Sequence, residues 1–244
     1  MPHGPGVVRK QGDPSGLRRE ARGARIAGPP LAPAVLASRA GDLRTALIPG
    51  RPRRLRRLDP GRAVALGQVL SRVHTRRATA TGGRPGWEAR VAGLTGYARA
   101  RGRDAMACAQ SAGERRLITS ATRAAAAAAD LARGPAAAFA FLHGDLIEDN
   151  VVWPTGGGDP VLVDWEFWRM GDPAEDLAYL SAINALPPEV MGHVFQGYRA
   201  DGSIMARVDL WHPLVLVDAA LWYRAHGDHE PVARLLDRAR DALS

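Results

Sequence analysis

The sequence predicts an α+β fold, a small β-rich start followed by a mainly helical body with one β-pair set into it. Three observations predict it. Short apolar runs separated by turn residues occupy positions 7–48. Apolar residues at helical spacing recur over 60–133 and 172–243, and two β-branched runs, Val151-Val152-Trp153 and Val161-Leu162-Val163, flank a glycine turn. At 244 residues the chain can form one domain or two small lobes around a real core.

Taken in order, residues 1–6 carry prolines, glycines and little apolar content, and are expected to be disordered. Val7-Val8-Arg9-Lys10 reads as a short strand, and 11–16 as a turn rich in Gly, Pro, Asp and Ser. Ser15 is placed to cap a helix over 17–27, which Gly28-Pro29-Pro30 stops. Two strands, 34–37 and 43–48, follow around Ala40-Gly41-Asp42. Pro49-Gly50 then breaks the chain, and a lobe boundary is expected there, between 1–48 and 49–244.

Over 60–74, Val64, Leu66, Val69, Leu70 and Val73 share one helix face. Residues 78–86 read as a loop, and helices are expected over 87–101 and 114–133. The second contains the alanine run 124–129, the strongest helix former available, and Gly134-Pro135 ends it. Asp172-Pro173-Ala174-Glu175 is a helix start, with a capping aspartate and proline at the first helical position. Helices over 172–185, 188–200, 204–225 and 231–243 complete the chain, which shows no internal repeat.

Composition narrows the classes. Hydrophobic content of 46% with 24% charged residues is that of a globular protein. The most apolar stretch, 211–225, contains Asp218 and Arg224, which argues against a membrane span, and no signal-peptide core opens the chain. A single cysteine, Cys108, excludes an internal disulfide and fits a reducing compartment, so a cytoplasmic location is expected. The net charge of +8 and pI near 10.8 raise nucleic-acid binding. Yet the basic residues are dispersed except at 51–62, where no aromatic, zinc-ligand or recognition-helix pattern accompanies them, and that cluster reads as a solvated loop face. Of 33 basic side chains only Lys10 is lysine.

The chemistry concentrates between His143 and Asp176. His143-Gly144-Asp145 is followed by Asn150, the strand 161–163 ends in Asp164-Trp165-Glu166, and Gly171-Asp172-Pro173 leads to Asp176. The spacing His-x-Asp-x-x-x-x-Asn, then a strand ending in Asp, is the pattern phosphoryl transfer uses. Asp145 is placed to orient an acceptor hydroxyl and take its proton. Asn150, five residues on, and Asp164 would offer one amide and one carboxylate oxygen from different loops, which suits Mg²⁺. His143 is expected to hydrogen-bond loop backbone. Each of these residues is common in turns taken singly; the ordered set carries the signal. A metallophosphatase would need a preceding Asp-x-His and paired metal histidines, which His226 and His229 around Asp228 do not supply.

These residues resemble the aminoglycoside phosphotransferase and choline kinase family, which shares the protein-kinase-like fold. The motifs His143-Gly144-Asp145…Asn150, Asp164-Trp165-Glu166 and Gly171-Asp172-Pro173…Asp176-Leu177-Ala178 carry the resemblance, with Leu66-Gly67-Gln68-Val69-Leu70…His74 similar to the segment past the family's hinge. It implies a two-lobe protein-kinase-like fold. In it, 1–48 form a truncated N-terminal nucleotide-binding lobe of β character, and 49–244 a helical C-terminal lobe with the catalytic and metal loops. It implies a small-molecule kinase with ATP as phosphoryl donor and Mg²⁺ as cofactor, Asp145 as catalytic base, and Asn150 and Asp164 as metal ligands. Asp172 and Asp176 would support the loops. No nucleic-acid or membrane partner is implied.

The resemblance also places Lys10. Val7-Val8-Arg9-Lys10 matches the strand whose lysine contacts the nucleotide phosphates, and Glu20 on the following helix matches its ion-pair partner. Strand alternation separates Lys10 from its rival Arg9. The chain departs from the family in one respect: only Met1 to Gly6 precede this strand, and Gly4 and Gly6 do not make the glycine-rich loop that covers the phosphates. The alternative expectation is therefore a catalytically weak or inactive kinase-like binding module. Trp211, Trp222 and Tyr223 are candidates for a cationic-acceptor pocket as well as for the core.

Overall fold

A computed structural model of the chain describes residues 6–76, 93–132 and 139–244. Residues 1–5 of the stretch expected to be disordered, the loop expected at 78–86, the start of the helix expected over 87–101 and the stop expected at Gly134-Pro135 lie outside the described residues. In chain order the elements begin with β1 (Val7–Gln11), α1 (Pro14–Ala27), β2 (Val35–Arg39), β3 (Asp42–Ala46), β4 (Gly50–Pro52) and α2 (Pro60–His74). Then come α3 (Gly93–Ala107), α4 (Ala112–Leu131), β5 (Ala140–Leu142), β6 (Val151–Pro154), β7 (Val161–Leu162) and β8 (Arg169–Gly171). The chain closes with α5 (Pro173–Ile183), α6 (Pro188–Tyr198), α7 (Gly202–Ala225) and α8 (Val232–Asp241). It is an α+β protein whose described strands are short and fall in two groups, β1–β4 over 7–52 and β5–β8 over 140–171.

The chain divides into two compact units. The first comprises Met1–Ala78, Ala140–Met170 and Leu186–Arg199. Its larger sheet has the order β1-β3-β2, with both pairings antiparallel and Lys10 opposite Leu43. Helix α1 lies on this sheet through Leu17 and Ala21, which bury Leu43 and cover Val35. The helix starts earlier than its apolar pattern suggests. Asp13, not Ser15, is the cap: its carboxylate accepts from the Gly16 amide at 2.7 Å, and Pro14 takes the first helical position, where its missing N–H costs nothing.

A second sheet, β4-β6-β7, contains the β-pair expected between 151 and 163, with Val151 opposite Leu162. The strand β4 falls in the stretch expected to be loop; Arg51 pairs with Trp153 across the ladder. Helices α2 and α6 cross at glycines. A Cβ on Gly67 would lie 2.1 Å from the Val194 carbonyl oxygen, and one on Gly197 would lie 1.9 Å from that of Val64. Only hydrogen at both positions lets the two backbones approach this closely.

The second unit comprises Thr79–Phe139, Gly171–Ala185 and Ala200–Ser244, and helices α3, α4, α5, α7 and α8 make up most of its described residues. Helix α4 packs on α3 and α7 through Ile118, Ala121, Ala125 and Ala128, so the alanine run supplies a thin, buried face. Trp211 of α7 is buried and stands 5.7 Å from the Tyr97 ring, a core position. The polar heart of this unit is Asp172. It caps α5 by accepting from the Ala174 amide, accepts from the Trp211 indole at 3.0 Å, and pairs with the fully buried Arg207 at 2.8 Å. Among the described residues no helix is long and apolar enough to cross a membrane.

Candidate active site

The loop at 143–150 is shaped by one histidine and one glycine. His143 is completely buried; its Nε2–H donates to the Val163 carbonyl at 2.9 Å, and its Nδ1 accepts the Asp145 amide at 3.3 Å. This pair of bonds requires a neutral ring protonated on Nε2. Gly144 turns the chain at φ +85°, and a side chain there would meet the Phe167 carbonyl oxygen at 2.4 Å. The turn sets Asp145 beside Asn150, whose amide nitrogen donates to the Asp145 carbonyl at 2.9 Å and to its Oδ2 at 2.8 Å. With that nitrogen so engaged, the amide oxygen of Asn150 is the atom left for a cation.

Asp164 is delivered from the opposite side of the hairpin. The Val163 amide donates to the Asn150 carbonyl at 3.0 Å while the Val163 carbonyl receives His143, so the residue before Asp164 is tied to both ends of the 143–150 loop. Asp164 itself adopts left-handed backbone angles, φ 61° and ψ 67°, and opens the short 3₁₀ turn Trp165–Phe167. A left-handed aspartate is uncommon, and such strain gathers at functional positions. The turn is held down by Trp165, whose indole donates to the Leu162 carbonyl at 2.9 Å and stacks on Phe141 at 5.5 Å.

Lys10 bridges the two sequence-distant acids. Its Nζ lies 2.8 Å from Glu20 Oε1 and 3.1 Å from Asp164 Oδ1. The alternation of β1 sends Arg9 elsewhere, to Asp42 at 2.6 Å. Glu20 is only 6% exposed, far from a solvated helix face. Burial acts to lower the lysine, but the Glu20 and Asp164 carboxylates outweigh it and hold the ammonium above its ordinary value. At Glu20 the balance reverses: burial pushes the carboxyl up, and Lys10 offsets only part of that.

Glu166 joins the same field. Its carboxyl is pushed up by burial and by the charge of Asp164, with Lys10 opposing and Asp145 adding to it. Asp145, Asp164, Lys10 and Glu166 therefore share one electrostatic neighbourhood, with more acid than base. The sequence-predicted residues fall into two bonded groups, Lys10–Glu20–Asp164 and Asp145–Asn150, and Val163 joins them through backbone. Among the described residues no cluster of three or more His, Cys, Asp or Glu side chains gathers as a dedicated metal cage. An amide and a carboxylate in an acidic neighbourhood nevertheless fit Mg²⁺, which takes few protein oxygens and keeps the rest of its shell for water and phosphate.

Two neighbours were not singled out from sequence. Trp168 clasps α1: its indole donates to the Arg19 carbonyl, and Arg19 and Arg22 stand over its ring at 5.8 and 5.4 Å. Arg169 donates to the Phe167 carbonyl at 3.2 Å, bracing the turn after Asp164. Neither carries a sequence signal, because each depends on a partner many positions away or on a turn geometry. Trp222 is 45% exposed and stacks on His226 at 4.1 Å, so of the candidate acceptor aromatics it is the accessible one.

The model of the phosphotransferase enzyme family matches residues 11–211. Viomycin phosphotransferase of Streptomyces vinaceus is 37% identical over 98 residues, which is 38% of this chain and 33% of that protein. The chain thus matches about a third of that relative's length. Among solved structures, a choline/ethanolamine kinase family protein from Mesorhizobium loti superposes with a TM-score of 0.73 at 19% identity, covering 98% of this chain and 82% of that one. A thermostable mutant of aminoglycoside phosphotransferase APH(4)-Ia gives 0.72 at 14% identity, covering 100% and 88%. The macrolide 2'-phosphotransferase MphH from Brachybacterium faecium gives 0.67 at 20%, covering 99% and 84%. At such identities these likenesses show a shared kinase-like fold.

Proposed function

The chain belongs to the phosphotransferase enzyme family, and from that premise we propose that it moves the terminal phosphoryl group of ATP to a hydroxyl of a small molecule. The acceptor oxygen attacks the γ-phosphorus in line. The bond from that phosphorus to the β,γ-bridging oxygen breaks, ADP leaves, and the hydroxyl proton passes to the Asp145 carboxylate. In this reading residues 1–48 are the nucleotide-binding lobe and 49–244 carry the catalytic and metal loops.

Each residue then has a task set by its surroundings. Lys10, kept charged by Glu20, receives the phosphate oxygens. Glu20 holds the lysine in place and is too buried to reach nucleotide itself. Asn150 steadies Asp145 through its amide nitrogen and leaves its oxygen, with Asp164, for Mg²⁺. When bound, Mg²⁺ supplies charge neutralisation for the phosphate oxygens. His143 fixes the loop as a neutral strut and takes no proton. A cytoplasmic location, where ATP is held, belongs to the same reading.

The observation that supports this best is Lys10 between Glu20 and Asp164, with Asp164 tied through Val163 to the loop holding Asp145 and Asn150. Aminoglycosides, amino alcohols such as choline and ethanolamine, macrolides and viomycin-like peptides are the acceptors to screen. The test is ADP release across that panel for the wild type and Asp145→Asn, with Mg-ATP binding read by thermal shift. Turnover should fall by about 10²–10⁴-fold in the variant with binding kept. Undiminished turnover would remove Asp145 from its role. Absence of any Mg-ATP shift in the wild type would favour an inactive binding module.

A further inference from the structure

The segment 51–62 holds arginines at 51, 53, 54, 56, 57 and 62 and a single carboxylate, Asp59. It is built rather than loose. Arg51 sits in the ladder with β6, Leu55 and Leu58 are buried, and the 3₁₀ turn Leu55–Arg57 leads into the cap of α2. Anchoring the leucines inward throws the guanidinium groups outward. Arg51, Arg53, Arg54, Arg57 and Arg62, with Asp59, line a depression of about 350 Å³. That is the lower end of the size of small-molecule sites, about 300–1,000 Å³.

The pairing of these arginines separates them from many others in the chain. Arg9, Arg72, Arg224 and Arg240 are each ion-paired to a carboxylate. In the depression, Asp59 is taken by Arg62 and by the Arg62 amide at the start of α2. Arg51, Arg53, Arg54 and Arg57 have no ion-pair partner among the described residues. Five guanidinium groups against one carboxylate leave a net charge of four positive in a concave surface, which focuses the field on whatever enters.

Its chemistry restricts the occupant. Guanidinium forks match phosphate oxygens in pairs. The lining holds no aromatic ring on which a base could stack, and a single leucine and proline offer little to an apolar ligand. One short segment is also too compact for the extended basic stripe a duplex requires. We infer that this depression is a binding site for a small polyvalent phosphate, an inorganic oligophosphate or the phosphate arm of a metabolite, gripped by guanidinium forks. None of its residues belongs to the phosphotransfer site, so it stands or falls independently of the function proposed above.

The experiment is isothermal titration of the full chain with inorganic tripolyphosphate in magnesium-free buffer. It compares wild type, Arg54→Ala/Arg57→Ala, Arg54→Lys/Arg57→Lys and Lys10→Ala. Lys10→Ala, which removes the phosphate contact of the proposed nucleotide site, should retain a tripolyphosphate site, and the double alanine variant should bind about tenfold or more weakly than wild type. The double lysine variant, which keeps the charge and loses the forks, should also weaken, and it serves if the alanine variant does not fold. Sugar bisphosphates in place of tripolyphosphate distinguish the metabolite source. Equal binding by either Arg54/Arg57 variant, loss of binding in Lys10→Ala, or tighter binding of a short DNA duplex at the same arginines would overturn the assignment.

Discussion

Trp168 and Arg19 hold one another twice: the indole Nε1 donates to the Arg19 carbonyl at 2.8 Å, and Arg19 Nη2 donates to the Trp168 carbonyl at 2.8 Å. One side of this clasp is the turn that follows Asp164, and the other is the helix that carries Glu20. Gly23 completes the fit, since a side chain there would meet Trp168 at 2.5 Å and Trp165 at 2.9 Å. The clasp therefore sets the distance across which Lys10 bridges its two carboxylates.

Removing the ring should separate these elements. Trp168→Ala loses the indole hydrogen bond to the Arg19 carbonyl and the surface on which Arg19 and Arg22 rest, keeps the backbone carbonyl that accepts from Arg19, and should cost about 2 kcal/mol in a urea titration. Under the function proposed above, the KM for ATP should rise, because Glu20 no longer holds Lys10 in register, while Trp168→Phe, keeping the ring, should lie between. A variant with normal KM for ATP would show that the clasp only stabilises the fold.

Much of this arrangement is legible in the sequence because its signals are local. Helix α2 follows from its apolar spacing over 60–74, and the hairpin at 151–163 from its β-branched runs around glycines. The cap of α1 lies two residues before the expected Ser15 because Asp13 and Ser15 are both good caps, and only the amide geometry chooses between them. The strand β4 was hidden because Gly-Arg-Pro has no strand propensity; its ladder with β6, about a hundred residues on in sequence, makes it a strand. Pairings such as Trp168 with Arg19, or Asp172 with Arg207, join residues whose types are unremarkable alone, so spacing cannot reveal them.

Glu20 gives a pH signature. Its folded-state carboxyl is raised above its ordinary value by burial, so the proton binds the folded chain more tightly than the unfolded one. The stability this contributes is fully present below the ordinary carboxylate range and is lost as pH rises through the folded value. Glu20→Gln does not titrate there. The stability of wild type relative to Glu20→Gln should therefore decline as pH rises from about 4 to about 7, as read from urea midpoints at several pH values. A flat difference would mean that Lys10 fully offsets the burial.

Gly144 should tolerate no side chain. Its φ of +85° costs an L-residue about 1–2 kcal/mol, and the added carbon would also press on the Phe167 carbonyl at 2.4 Å. Gly144→Ala should lose roughly 2–4 kcal/mol in total and shift Asp145 away from Asn150. Denaturant unfolding measures the first effect and turnover at saturating ATP the second. Wild-type values for both would mean that the turn relaxes freely.

The pair Asp172 and Arg207 tests whether the helical unit depends on a buried charge. Arg207→Met keeps most of the volume and strands a carboxylate that is already pushed up by burial and restrained chiefly by Arg207. Breaking such a pair costs about 3–5 kcal/mol near neutrality. The sign with pH follows from the raised carboxyl. Without the guanidinium its folded value rises further, so the variant's deficit should be largest near pH 7 and shrink toward about pH 4, where protonation removes the stranded charge. Asp172→Asn/Arg207→Met should recover part of the loss, because the amide carries no charge to strand and its one oxygen can keep one of the two bonds, the Ala174 cap or the Trp211 indole. A deficit independent of pH would assign the cost to packing around α7 rather than to charge.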